Sequence, residues 1–298
     1  MILVTGGTGL LGSHVIHLLL QKEIPVRVLT RGATDWQDRN IFDLRNKGVE
    51  VIIGDIRDRR KVSIAVESCD CIINLAGIMR QTKDENFEEV HIAALENLLA
   101  EAAGEGVQRF IQVSCIGAGA HDGGALFHSK KEAEKIVKKS DFYWTIFRPA
   151  FFWSEEAFLV KALLSLSKSA GPMVPVPGSG ENRLQLVDVE DTAKAIIDSI
   201  YRKETVGNMY ELVGPEKRTL QDLLSIVNKS TGKNKPLVNV SLDKVLGVAA
   251  MLEKVLPHGP INAEVIKLLI SDYHAKGGQL ESVFGIEPSQ MHELYIPS

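Results

Sequence analysis

Short apolar runs alternate with stretches of helical periodicity through the first half of this chain. Ile2-Leu3-Val4 comes first, followed by Val26 to Thr30, Val49 to Ile53, Cys71 to Leu75, Arg109 to Ser114 and Phe142 to Arg148. Each run is short, rich in β-branched residues and nearly continuous in apolar character, the pattern of strands buried on both faces. Between them, Val15 to Leu20 is an apolar helical stretch. The segment 85–103 carries Phe87, Val90, Ala94, Leu95, Leu98, Leu99 and Ala102 at helical spacing, and Ser129 to Lys139 is amphipathic. This βαβ alternation predicts an α/β fold, a doubly wound parallel sheet whose ligand crevice lies beyond the carboxyl ends of its strands. Functional residues are then expected just after each strand.

The pattern changes after Pro149. The turn-rich segment Gly171 to Gly180 is too broken for a helix and reads as a connector or as a substrate lid; it separates a helix over Glu155 to Ser167 from a strand over Leu184 to Val187. A helix over Glu190 to Tyr201, a strand over Met209 to Val213 and a helix over Thr219 to Thr231 follow. Ser241 and Asn262 are expected to cap two further amphipathic helices, whose apolar stripes read as core-facing rather than as a membrane or partner surface. The expected organisation is a nucleotide-binding domain over 1–150 and a smaller α/β substrate region over 151–298, partly interleaved with the first.

The first strand runs directly into Thr5-Gly6-Gly7-Thr8-Gly9-Leu10-Leu11-Gly12 and then into a helix. Gly6 suits the tight turn out of the strand, Gly9 lets backbone approach a pyrophosphate with no Cβ in the way, and Gly12 lets the helix lie close on the sheet. The helix N-terminus then offers unpaired N–H groups and the positive end of its dipole to phosphates. Strand before, helix after: this context points to a dinucleotide cradle. Arg31 follows the second strand where an NAD site usually carries an acid for the ribose hydroxyls. The sequence there is Leu29-Thr30-Arg31-Gly32, and a guanidinium can fork onto a 2′-phosphate, so NADP is expected, with NAD as the alternative.

Composition narrows the classes. The 298 residues are 45% hydrophobic, enough for a large core, and 34 basic against 38 acidic residues leave a net charge of −4. That balance gives no electrostatic case for nucleic acid. No apolar run reaches membrane-spanning length, and Met1 leads straight into the first strand, so a cytoplasmic location without a signal peptide or transmembrane segment is the expectation. Cys69 and Cys71 sit two apart at the start of an apolar run and read as small residues in or beside a strand, not as a bridge or a zinc knuckle; no metal site is expected.

On this order of elements, several segments resemble the extended short-chain dehydrogenase/reductase superfamily, which has a Rossmann fold. They are TGGTGLLG at Thr5 to Gly12, GDIRD at Gly54 to Asp58, INLAG at Ile73 to Gly77, RFIQVS at Arg109 to Ser114, SKKEAE at Ser129 to Glu134, FRPA at Phe147 to Ala150 and VDVEDTAKAI at Val187 to Ile196. The C-terminal portion, Pro260 to Asp272 and Phe284 to Pro288, is similar to the atypical group containing the nucleotide-binding accessory subunit of respiratory complex I and its bacterial relatives. The resemblance implies that the backbone of Thr8, Gly9, Leu10 and Leu11 contacts the pyrophosphate. It further implies that Asp55 and Ile56 flank the adenine, and that Leu75, Ala76 and Gly77 line the nicotinamide side. Asp55 read alone could instead cap the following helix, but its place beyond a strand end favours the site.

The catalytic position departs from the pattern. Working relatives place a tyrosine four residues before a lysine, on one helix face, as proton donor and ribose-holding cation. SKKEAE makes Lys130 the lysine, which puts Leu126 at the tyrosine position; the neighbouring register pairs Lys131 with Phe127. Neither residue transfers a proton. Ser114 stands where relatives use a hydroxyl to orient the substrate carbonyl, and His91 replaces an asparagine common in the long fourth helix. Replacement donors are few: His128 lies two residues from Lys130 and so on another side of the helix, His121 and Asp122 sit in a glycine-rich loop, and Asp188 and Asp191 read better as helix-cap residues. Three functions remain open. The first is an NADP-dependent oxidoreductase of a small or isoprenoid-like carbonyl compound, with a hydrophobic substrate hinted at by the apolar second region. The second is a non-catalytic NADP-binding assembly or redox-sensing protein with a respiratory or membrane-associated partner. The third, a sugar-nucleotide epimerase or dehydratase, is weakened most by the missing phenol.

Overall fold

The computed structural model describes residues 1–32, 35–119, 124–168, 171–255, 261–272, 275 and 278–294. Its centre is a parallel sheet of β1 (Ile2–Thr5), β2 (Val26–Thr30), β3 (Glu50–Ile53), β4 (Cys71–Asn74), β5 (Arg109–Val113) and β6 (Tyr143–Pro149), each within about two residues of the expected run. A seventh strand is added by Asn208–Leu212. The order is β3-β2-β1-β4-β5-β6 followed by that strand, all parallel, so the order reverses on the two sides of β1. The crevice of such a sheet opens at that reversal, beyond the ends of β1 and β4.

Because side chains alternate along a strand, each strand supplies both faces of the sheet. Ile2, Val4, Val28, Ile73 and Ile111 belong to one buried layer, under the helix α1 (Leu10–Gln21). Leu3, Leu29, Ile72, Phe110 and Ile146 belong to the other, packed against helices Arg59–Val66, Ala94–Gly104 and Gly124–Lys139. With Asp35–Asn46 counted as α2, these three are α3, α4 and α5 in chain order. This two-sided cover is why the strands read as continuous apolar runs.

The chain then builds α6 (Phe158–Ser167), the short strands β7 (Val174–Pro177) and β8 (Arg183–Gln185), and α7 (Val189–Ser199). The segment expected to be a connector contains β7, which pairs in parallel with β11 (Leu237–Val240). Pro175 and Pro177 hid it, since proline reads against a strand interior. Likewise β10 (Lys217–Thr219) pairs antiparallel with β8 and was not foreseen. The seventh strand of the main sheet is β9. Helix α8 (Leu220–Ser230) starts at a Thr219–Asp222 capping box, and α10 (Ala263–Leu269) starts at Asn262, whose side chain accepts from the Val265 amide at 2.9 Å. Between them runs α9 (Leu242–Val255), and α11 (Leu280–Phe284) ends the described helices. Asp188 caps α7 by accepting from the amides of Glu190 and Asp191, and the Asp191 carboxylate accepts from the Ser289 amide at 2.7 Å. The cap reading of this pair therefore holds. Through β9 in the main sheet and α7 against α1, the later half of the sequence returns to the first.

The tightest constraint lies where α1 meets β1. A Cβ at Gly12 would stand 2.4 Å from the Gly6 carbonyl oxygen and 2.7 Å from Gly7 backbone, while Gly6 itself has φ +68° and would place a Cβ 2.9 Å from the Ala76 nitrogen. Both contacts are with backbone, which cannot swing aside. Gly12→Ala is expected to lower stability by about 1–3 kcal/mol, read as a lower urea midpoint with unchanged slope; an unchanged midpoint would show that α1 is free to retreat from the sheet.

Candidate functional site

A cavity of about 630 Å³ opens above the carboxyl ends of the strands. Each of the four strands around the order reversal contributes to its wall. The β1–α1 turn supplies Thr5, Gly6, Thr8, Gly9 and Leu10; Thr30 and Arg31 follow β2; Gly54, Asp55 and Ile56 follow β3; and Leu75, Ala76, Gly77 and Ile78 follow β4. The rim is completed by Glu85 and Val90 before and within the fourth long helix, and by Glu156 and Lys161 near the start of α6. Leu11 and Gly12, expected with this group, do not line the cavity through side chains. Leu11 is buried in the core, and Gly12 makes the close helix contact described above.

Below the cavity the strand ends are tied by polar side chains. Thr5 Oγ1 donates to Asn74, and the Asn74 amide donates to Gln112 at 2.8 Å, linking β1, β4 and β5 in register. The Thr8 and Thr30 hydroxyls lie 2.9 Å apart. Gly9 serves as the N-cap of α1 with no side-chain cap bond, and no acid stands in the first turn. That end of the helix keeps its positive dipole and its leading N–H groups for a ligand. The cradle thus fits a pyrophosphate sterically and electrostatically.

At one end of the cavity two arginines pull the segment before the fourth helix against the loops after β2 and β3. Arg31 forms an ion pair with Glu85. Arg57 binds Asp55 through both nitrogens of its fork, reaches Glu89 at 3.0 Å, and donates to the Asp84 carbonyl at 2.8 Å. The Arg57 hydrogen bonds hold the Asp55 carboxyl below the usual carboxylate range. Asp55 is not the cap of α3; that role falls to Asp58, which accepts from the Arg60 amide.

At the other end, α5 and a π-turn at Glu88–Ala93 ahead of α4 face each other. The π-turn widens the helix at His91, a frequent mark of functional positions. The Ser129 hydroxyl donates to the Leu126 carbonyl, so it accepts from His91 Nδ1–H at 2.8 Å, while His91 Nε2 accepts from the Ile78 amide at 3.0 Å. Both ring nitrogens are thereby satisfied in the neutral form. Burial, reinforced by the charge of Lys130, pushes the imidazole down to about 2. A Cβ on Gly77 would meet Lys130 Nζ at 3.0 Å and His91 Nε2 at 3.2 Å, which puts both groups behind the Gly77 wall of the cavity. Lys130 is 8% exposed, burial lowers its pKa, and its ammonium has no ion pair or side-chain hydrogen bond among the described residues. The neighbouring Lys131 turns away to Gly119 and Glu134.

Other expected groups land elsewhere. Ser114 is buried and gives its hydroxyl proton to Glu134 at 2.8 Å; Glu134 in turn takes a two-pronged bond from Arg148, 2.6 Å on each side. The serine is therefore held in a buried ion-pair network rather than presented to the cavity. Leu126 and Phe127 are packed in the core, His128 is exposed on the far side of α5, and His121 and Asp122 lie outside the described residues. The sequence reading missed Glu85, Glu156 and Lys161, which carry no motif and reach the cavity only through the path of the folded chain.

Residues 1–296 match the NmrA-like family. The chain belongs to it. Among its relatives, the Arabidopsis thaliana protein named NADH dehydrogenase [ubiquinone] 1 alpha subcomplex subunit 9, mitochondrial, is 31% identical over 228 residues, 75% of this chain and 56% of that protein. The chain thus spans little more than half of that relative's length. The NAD(P)H azoreductase of Xenophilus azovorans is 24% identical over 285 residues, covering 95% of this chain and 91% of the enzyme. In fold, the chain is similar to the NADPH-dependent quinone oxidoreductase of Escherichia coli in its NADPH complex, with a TM-score of 0.74 at 20% identity, over 98% and 97% of the two chains. These similarities agree with the resemblance drawn from the motifs.

For this NmrA-like chain the buried imidazole has a direct consequence for stability. His91 stays neutral in the fold to about pH 2, whereas in the unfolded chain it takes a proton near about pH 6.5. Its contribution is present above about pH 6.5 and is lost as the pH falls below it, by up to about 1.4 kcal/mol per pH unit. Urea midpoints from pH 7 to pH 5 are expected to fall more steeply for the native chain than for His91→Gln. Parallel pH profiles would mean that His91 is protonated in the fold.

Proposed function

We propose that this NmrA-like chain binds a nicotinamide dinucleotide, NADP(H) in preference to NAD(H), and acts as a reductase of a small, hydrophobic carbonyl compound. The observation that carries the reading is Lys130: a largely buried side chain whose ammonium has no side-chain partner among the described residues, set beside Gly77 where the resemblance puts the nicotinamide. An ammonium so placed has N–H donors to offer to the oxygens of a ligand. The cofactor names of the azoreductase and the quinone oxidoreductase support the same reading.

On this reading the leading N–H groups of α1, with Thr8 and Gly9, hold the pyrophosphate, Asp55 and Ile56 flank the adenine, and Arg31 meets the 2′-phosphate. Lys130 Nζ donates to the nicotinamide ribose. His91, neutral and doubly hydrogen-bonded, fixes the Gly77–Ile78 turn against which the ring lies. When bound, the dinucleotide supplies hydride chemistry. A proton is still required, and no phenol stands at Leu126 or Phe127; the acid nearest the ring is the Lys130 ammonium, whose lowered pKa eases release from Nζ. Ser114 keeps a positioning role through Glu134 and Arg148. Residues 151–298 form the substrate region, with Glu156 and Lys161 at its edge of the cavity.

A second reading rests on the same absent phenol: a non-catalytic dinucleotide-binding protein that assembles with a respiratory or membrane-associated partner, as the name of the Arabidopsis relative suggests. No described helix is long and apolar enough to cross a membrane. The epimerase reading has the least support, because it begins with removal of a proton from a sugar hydroxyl.

Cofactor titration tests the binding that these readings share, and turnover assays separate them. Calorimetric titration should show NADPH binding more tightly than NADH, and Lys130→Met should weaken both; unchanged affinity in Lys130→Met would remove the lysine from the site. Steady-state assays with NADPH on a panel of carbonyl compounds, and with NADP+ on secondary alcohols and sugar nucleotides, should show low turnover, since general acid help contributes about 10²–10⁴-fold. A gain in Leu126→Tyr is expected if only the proton donor is lacking. Robust native turnover that collapses in an exposed-residue variant, His128→Ala, would contradict this account.

A further inference from the structure

The loop after β2 carries no acid, yet the folded chain brings one to it. Glu85 arrives from the segment after β4 and pairs with Arg31 at the rim of the cavity. Its place is fixed by its neighbours: the Glu85 carbonyl accepts from the Thr82 amide at 2.8 Å, and the adjoining Asp84 carbonyl is held by Arg57. Arg57 is itself occupied by Asp55 and Glu89, so Arg31 is the guanidinium that Glu85 engages. The Glu85 side chain is 17% exposed and that of Arg31 is 47% exposed, so the acid is the more fixed member and the arginine the one able to turn.

We propose that Glu85 is the specificity-determining residue of the 2′-subsite, limiting the preference for NADP(H) that Arg31 creates. This rests on the dinucleotide reading above. An ionised carboxylate only accepts hydrogen bonds, so Glu85 suits the 2′-hydroxyl of NAD(H), which has a proton to give. The 2′-phosphate of NADP(H) has none to spare near neutral pH and carries a like charge. To bind it, Arg31 must leave Glu85 for the phosphate while the carboxylate remains nearby. The two residues therefore pull in opposite directions: the arginine favours the phosphate, and the acid favours the hydroxyl. The outcome is a site of modest selectivity that accepts both cofactors.

The test is calorimetric titration of NADPH and NADH into the full chain, native and as Glu85→Gln, which removes the charge and keeps the shape. Glu85→Gln should raise NADPH affinity about three- to tenfold, the scale expected for a partly exposed charge, and leave NADH affinity equal or weaker. Glu85→Ala should shift the ratio in the same direction, and thermal unfolding of both variants confirms that they fold. In Arg31→Ala, NADPH loses its advantage and further substitution of Glu85 recovers less NADPH affinity than it gains in the native background. A ratio of NADPH to NADH affinity that stays constant or falls in both Glu85 variants overturns the proposal while leaving dinucleotide binding intact. A native chain that binds neither cofactor overturns both.

Discussion

The contact between Gly12 and the Gly6–Gly7 backbone sets the geometry on which the site depends. With no Cβ at either end of that contact, α1 lies close enough to the sheet for its leading turn to sit over the point where strand order reverses. The same approach brings Gly6 against the backbone of Leu75 and Ala76, so the turn after β1 and the loop after β4 share one wall. The polar tie from Thr5 through Asn74 to Gln112 then fixes the strand ends beneath that wall. Fold and cavity are in this sense one arrangement.

Much of this was legible in the residues, and the reasons are physical. Strands buried on both faces are largely apolar, as β1 and β4, buried along their whole length, show; a glycine cluster between a strand and a helix marks a dinucleotide cradle. What escaped the sequence lies where the fold depends on distant pairing. The strand β7 contains two prolines and exists because β11, far along the chain, pairs with it. Glu85 has no distinctive context and acquires its position from Arg31 and Arg57. Ser114 sits at the right strand end, but only the folded structure shows its proton committed to Glu134.

The helix positions around Lys130 show how the site differs from a phenol-bearing one. Where a tyrosine would project, Leu126 packs into the core, and the polar roles pass to His91, Ser129 and Ile78. The imidazole is locked neutral with both nitrogens engaged, so it shapes the wall and does not shuttle protons. The Lys130 amine beside it has no side-chain partner among the described residues, and burial lowers its pKa.

The most direct measurement is a crystal structure of the chain with NADPH. The pyrophosphate is expected on the N–H groups at the start of α1, the nicotinamide ribose within hydrogen-bond reach of Lys130 Nζ, and the ring against Gly77. A dinucleotide bound elsewhere, or one that lies in this cavity while Lys130 stays without contact to it, would contradict the account.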